Sequence, residues 1–433
     1  MKKIILLCMF LPAALFAQKE IKPSVSKAET ALQKGNLDEA KSIIDATVTN
    51  QQFMVDKKGN PSKNAAKAWY LKGLIYAAID TTKNQKFKSL LDANSFSAIQ
   101  EAFTKANELD KGKNESLVNG MFPGTQFPMP MTKDQVAKNL AQAYLIRGFN
   151  VYKTKDYKTA FVDIEKVLFF VPDDTTQLLN AGAYFAPAAE ETDKAVEYIN
   201  KYHAAGGKNP DTWLQLFSIY AKRADAIRAT YKGKDKSVAL NDEGYKKNIE
   251  QALAAAKQLT NRFPDNMDYL NLEYNIYTST ERFDEAKALM EKKSKLNPHD
   301  AESRYKIGLI CAHQKNDECA KHWFEETLKA DPKYLDAALD LARYSFADVQ
   351  KIKNERSETK DQKKRLELFQ LINKKLEVAV VRWEQCVEID PKSQDACDGL
   401  KTIYHELSNY DEKYNAKIKD LEAKMKANGL EVD

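Results

Sequence analysis

Glycine and proline are scarce in this chain, at 15 and 13 among 433 residues. That excludes a fold made mainly of turns and tight loops, and it favours long regular elements. Histidine is rarer still, with five copies, no two of them four apart as in a metalloprotease helix. A Gly-rich phosphate loop and a nucleophile elbow are both missing, and the carboxylates recur beside lysines at helical spacing rather than as a separate acid and base. These absences argue against an enzyme, name no catalytic residue and call for no cofactor. Charge of one sign is lacking too. The 67 basic and 62 acidic residues alternate and leave a net +5 with no basic stripe, so nucleic acid is not an expected partner. Beyond the N-terminus no apolar run approaches the roughly 20 residues a membrane helix needs, so no membrane span is expected.

The N-terminus is different. Lys2 and Lys3 precede the apolar run Ile4–Phe16, and Leu15-Phe16-Ala17 before Gln18 offers a small-residue cleavage site. This is the pattern of a secretory signal peptide over residues 1–17, too short to span a bilayer. Cys8 follows the bulky Leu6 and Leu7, which argues against lipoprotein processing. The expected location of the mature chain is the periplasm of a Gram-negative bacterium, with outer-membrane association only through a partner. That compartment permits disulfides.

The rest of the chain is organised around Pro264, Pro298 and Pro332, each 34 residues after the last. Between them lie Tyr269-Leu-Asn-Leu-Glu-Tyr274-Asn-Ile-Tyr277, Phe283-Asp-Glu-Ala286, Arg304-Tyr-Lys-Ile-Gly308-Leu-Ile-Cys311, and then Ala320 and Phe324. Apolar residues at three- and four-residue spacing give each helix one buried stripe, and proline ends the second helix of each pair. Trp69-Tyr-Leu-Lys-Gly73-Leu-Ile-Tyr76 opens another such pair, and Tyr144, Gly148, Tyr157, Ala160 and Ile164 mark a third. The period and pattern resemble tetratricopeptide repeats. The resemblance implies an all-α, right-handed superhelical solenoid of about nine stacked helix pairs with inserted loops, spanning 18–433. Regular repeats are expected near 65–174 and 264–332, irregular or inserted segments at 111–133, 222–244 and 346–370, and a capping helix at 412–427. The charged part of the last insertion, 354–365, reads as an exposed helix or helical arm.

By the same resemblance, first helices line a concave groove that receives peptides or protein surfaces. The groove residues would be Tyr70, Leu74, Leu145, Phe149, Tyr152, Asn271, Asn275, Tyr305, Leu309 and Arg343, each of which could instead pack between helices. One branch of the family clamps a peptide carboxylate with a Lys/Asn set. Here Asn271 and Asn275 lack accompanying lysines on the sequence pattern, which counts against that ligand. The segment holding Met121, Phe122, Phe127, Met129 and Met131 is too rich in proline and glycine for a regular element. It reads as a loop folded over a groove or seam, or as a partner-contact loop. Met129 and Met131 are soft copper donors but have no histidine or cysteine nearby. Cys311, His313, Cys319 and His322 could offer zinc ligands, yet Cys311 and His313 point to different helix faces. No metal is therefore expected. Cys311 and Cys319 flank one helix turn, and Cys386 and Cys397 flank the Pro391 turn, so two local disulfides, 311–319 and 386–397, are expected, against free core thiols.

The function that these features imply is an exported protein–protein interaction scaffold of the cell envelope, with components of an envelope or secretion complex as partners. The alternative is a periplasmic binding module for a glycan or small ligand. Oligomeric state is not legible.

Overall fold

The computed structural model describes residues 21–92, 95–113, 115, 117, 131–233 and 236–432. The signal-peptide reading, and Met121, Phe122, Phe127 and Met129 of the expected loop, lie outside these residues. The fold is all-α. Among the described residues no strand forms, and a single isolated bridge joins Val55 to Pro61. The chain divides into two compact units, Met1–Ile219 and Tyr220–Asp433.

In the first unit the helices are α1 (Val25–Gln33), α2 (Leu37–Thr49), α3 (Ala65–Thr81), α4 (Ser95–Leu109), α5 (Lys133–Lys153), α6 (Tyr157–Phe170), α7 (Thr175–Leu179) and α8 (Thr192–Ala204). Odd-numbered helices are the first members of pairs and even-numbered helices the second. Helix α7 widens into a π turn over Asn180–Phe185 and ends at Ala186–Ala188. The cause is Pro187, which has no N–H for the Ala183 carbonyl and whose ring would crowd it. Helix α9 (Pro210–Ala229) carries the boundary between the units. The second unit continues with α10 (Glu243–Arg262), α11 (Met267–Ser279), α12 (Phe283–Leu296), α13 (Ala301–His313), α14 (Asp317–Ala330), α15 (Leu335–Glu358), α16 (Gln362–Ile389), α17 (Gln394–Ser408) and α18 (Lys413–Ala427).

Small residues set how close paired helices come. A Cβ on Gly73 of α3 would sit 2.8 Å from the Phe103 ring of α4, and one on Gly308 of α13 only 2.4 Å from Phe324 of α14. The aromatic ring thus occupies the space a side chain would take, which brings the helix axes together. Reversal within a pair has one solution repeated five times. Gly35, Lys155, Glu190, Glu281 and Lys315 all have φ between 58° and 75°. In each case the amide of that residue bonds a carbonyl three residues back, as Lys315 N–H does with Ala312 O at 2.9 Å. This left-handed C-terminal cap satisfies the orphan carbonyls of the first helix.

The segment 346–370 is helical except for a turn at 359–361. Both helices of the pair are lengthened, so that α15 runs unbroken to Glu358 and α16 begins at Gln362, capped by Asp361. Buried Val349 and Ile372 continue the pair's apolar seam into this arm. The last helix, α18, buries Tyr414, Ile418, Leu421 and Met425 on one side.

Cys311 and Cys319 are bonded to each other across the α13–α14 turn. The 386–397 bridge expected from the sequence does not form, and both residues are buried thiols. The two spacings look alike but the turns differ. Residues 314–316 are a tight reversal within a pair, whereas Cys386 and Cys397 are separated by the longer connection between pairs. The Cys397 thiol there lies 3.8 Å from the Pro391 carbonyl.

Candidate functional site

First helices of successive pairs touch one another through the residues that the sequence marks. In the second unit, Tyr305 Oη on α13 donates to Asp340 Oδ2 on α15 at 3.0 Å. Arg343, one turn along α15, reaches the other oxygen of Asp340 at 3.0 Å and Asp395 of α17 at 2.9 Å. Lys306 of α13 donates to the Asn271 side-chain oxygen on α11 and, at 2.8 Å, to Glu302. A polar ladder therefore runs α11, α13, α15, α17. Tyr305 packs at a tilt against both Phe324 and Tyr334, at 5.5 and 5.1 Å. Burial and then the Asp340 charge push its hydroxyl pKa far above 10, so it acts as a neutral donor. Asn275 is exposed and Leu309 half-buried beside this ladder.

Asn271 does have a lysine, contrary to the sequence reading. Lys306 belongs to the next repeat, 35 residues on, so it is a neighbour in space and not along one helix. Glu302 shares its charge, so the pair is not a free anion clamp.

In the first unit, Tyr70 is buried and packs edge-on against Phe103 at 5.4 Å. It forms one wall of a cavity of about 330 Å³ with Phe103, Asn107, Lys133, Leu140 and Phe170. Leu74 is half-buried against the core of α1–α4. Leu145 and Tyr152 are half-buried, and Tyr152 lies 4.8 Å from the Phe185 ring of α7. Phe149 packs on Phe185 at 5.2 Å yet remains 41% exposed. The sequence reading missed two further exposed apolar residues on these helices. Ile146, one turn back on α5, is 53% exposed, and Tyr184 on α7 is 41% exposed, donating to Asp211 at 2.6 Å. Helical spacing of Ile146 from Phe149 could have shown the shared face. The Tyr184 position depends on the π turn, which no sequence period announces.

Helix α5 also contributes to an ionic cluster. Arg147 Nε and Nη2 donate to the two oxygens of Asp163 at 2.8 and 2.6 Å, and Lys166 Nζ donates to Asp80 Oδ2 at 2.9 Å. Arg147 Nη2 also reaches Asp80 Oδ2 at 3.3 Å, so two cations and two carboxylates compensate one another. The cluster ties α3, α5 and α6 together. Burial raises the Asp80 pKa, but Arg147 and Lys166 outweigh it and hold the carboxyl below its ordinary 3.8.

Among the described residues no group of three or more His, Cys, Asp or Glu is placed to hold a metal ion, and no helix is long and apolar enough to cross a membrane. His313 stacks on Phe283 at 5.8 Å, and His322 meets Trp323 edge-on at 5.7 Å. Met131 is half-buried against the α1–α4 core and accepts from Asn139 at 3.2 Å.

Successive antiparallel helix pairs, bonded first helix to first helix within each unit, define a helical-repeat protein. Residues 277–334, from the end of α11 through α14, match the tetratricopeptide repeat family model. No curated protein matches the chain. Several solved structures are similar to it. One is a tetratricopeptide repeat protein from Parabacteroides merdae ATCC 43184, 13% identical over 61% of this chain and 98% of that one, with a TM-score of 0.32. Another is YrrB, described as a TPR protein with an unusual peptide-binding site, 16% identical over 46% of this chain and 89% of that one, at 0.31. Yeast Tom70 is 14% identical over 93% of this chain and 76% of that one, at 0.31.

Proposed function

We propose that the chain is an exported scaffold of the cell envelope that holds a protein partner against the first helices of its repeats. The observation that carries this reading is the exposure of Ile146, Phe149 and Tyr184 on adjacent first helices, each more than 40% exposed. Large apolar and aromatic side chains left in water are typical anchors of protein interfaces. The polar ladder of Lys306, Tyr305, Asp340 and Arg343 supplies directional groups on the first helices of the second unit. Catalysis has no place in this reading, and the chain works by binding alone. Lys2, Lys3, the run Ile4–Phe16 and Ala17 support export to the periplasm.

A pull-down from envelope extracts with the mature chain, beside Ile146→Asp/Phe149→Asp, tests it. The expected result is a protein retained by the native chain and lost with the variant. Recovery of no protein above background, with saturable glycan binding instead, overturns it in favour of the glycan or small-ligand module. One observation favours that second reading, the aromatic cavity at Tyr70. Mass analysis of the secreted chain checks the leader, with Gln18 expected as the first residue.

A further inference from the structure

The turn between α15 and α16 holds a shallow pocket of about 520 Å³ that the partner-binding surface does not use. It is lined by Arg356, Lys360, Gln362, Arg365, Leu366 and Phe369. Three of the six are cations and none is a carboxylate. The cations are also unspent. Arg356 lies over the Phe369 ring at 4.9 Å, but its buried Nε has no hydrogen-bond partner. Lys360 and Arg365 make no ion pair among the described residues. The nearby acids are engaged elsewhere or stand off the pocket. Glu355 pairs with Lys364 at 2.8 Å, and Asp361 accepts the Lys363 and Lys364 amides at 2.8 and 3.2 Å. Glu358 and Glu367 are exposed and do not line it. A buried guanidinium N–H left without a partner costs free energy that a ligand can recover. Leu366 stands beside these cations 59% exposed, and Phe369 forms the apolar floor against Tyr410 at 5.8 Å.

We propose that this pocket binds a phosphate group joined to an apolar body. Arg356, Lys360 and Arg365 would meet the phosphate oxygens, and Leu366 and Phe369 the apolar part. Guanidinium matches phosphate geometry through its planar fork of donors, and lysine adds a mobile point charge. Basic residues beside exposed aliphatic ones are also the composition of surfaces that settle on anionic lipid. The same chemistry is presented by a lipid headgroup and by a soluble alkyl phosphate.

The test uses the mature chain with two probes, vesicles of phosphatidylglycerol in phosphatidylcholine and dissolved hexyl phosphate. Lys360→Gln/Arg365→Gln removes two exposed cations, and Lys57→Gln/Lys58→Gln removes two exposed cations far along the sequence as a charge-matched control. Arg356→Gln is the second variant, with helix content checked by circular dichroism. A lipid source predicts salt-sensitive flotation with the vesicles, reduced at least tenfold by Lys360→Gln/Arg365→Gln and unchanged by the control. A soluble source predicts saturable hexyl phosphate binding with the same dependence on the variants and no flotation. Binding of neither probe overturns the proposal, and so does binding that the control weakens as much as the pocket variants do.

Discussion

Arg147 and Asp163 face each other across the α5–α6 pair through two parallel hydrogen bonds of 2.8 and 2.6 Å. The Asp163 side chain is only 2% exposed, so its charge depends on the protein for solvation. Replacing Arg147 with Met leaves that carboxylate buried beside Lys166 alone, at 3.8 Å. The expected loss is about 2–4 kcal/mol, because removing one member of a buried pair strands the other. Urea denaturation measures it. Arg147→Met/Asp163→Asn should recover part of the loss, whereas strictly additive effects would show that the two residues do not act together.

The same cluster makes stability depend on pH. Asp80 has a lowered pKa in the folded chain, so its contribution is complete above the unfolded value of about 3.9 and is lost as pH falls through the folded value. Denaturation midpoints should therefore fall below about pH 4. Asp80→Asn, lacking this titration, should show a shallower fall over the same range. Parallel profiles for the two proteins would remove Asp80 from the account.

Cysteine chemistry separates the two pairs. Burial pushes the Cys386 thiol up to about 11, and burial followed by Asp398 and Asp390 raises Cys397. Both should resist iodoacetamide at pH 8 in the folded protein, because the thiolate is the nucleophile. Unfolding without reductant should expose two alkylation sites beyond the leader, and unfolding after reduction four. Intact mass counts them, and four sites without reductant would mean that Cys311 and Cys319 are not joined.

The five reversals with positive φ predict a stabilising change. Lys315 sits at φ 58° in a position where glycine has no Cβ penalty. Lys315→Gly should gain about 0.5–1 kcal/mol after the added entropy of the unfolded chain is subtracted. Gly35→Ala, at φ 75°, should lose about 1 kcal/mol. Thermal midpoints moving the other way would show that these corners are relaxed in other ways.

The fold was legible where the period was undisturbed. Pro264, Pro298 and Pro332 mark the second-helix ends, and Gly308 with Phe324 announces the close approach, and the family match falls on these same repeats. The lengthening of α15 and α16 was half legible. Charge in 354–365 indicated an exposed helix, but the apolar residues that pair the two arms, Val349 and Ile372, lie 23 positions apart with no repeat to relate them. The site was less legible still. Lys306 meets Asn271, and Tyr305 meets Asp340, across a full repeat, a distance at which one helix's pattern carries no information. Spacing across a turn could not tell a bonded cysteine pair from two thiols, because the reversal at 314–316 is tighter than the passage between pairs at Pro391.

The uniform corners bear on how this chain can be handled. Their geometry is held by main-chain amides and carbonyls, so the side chains of Lys155, Glu190, Glu281 and Lys315 have no structural duty there. A fluorophore, an affinity tag or a cross-linker attached at these four points would report on each pair separately while leaving the interior untouched.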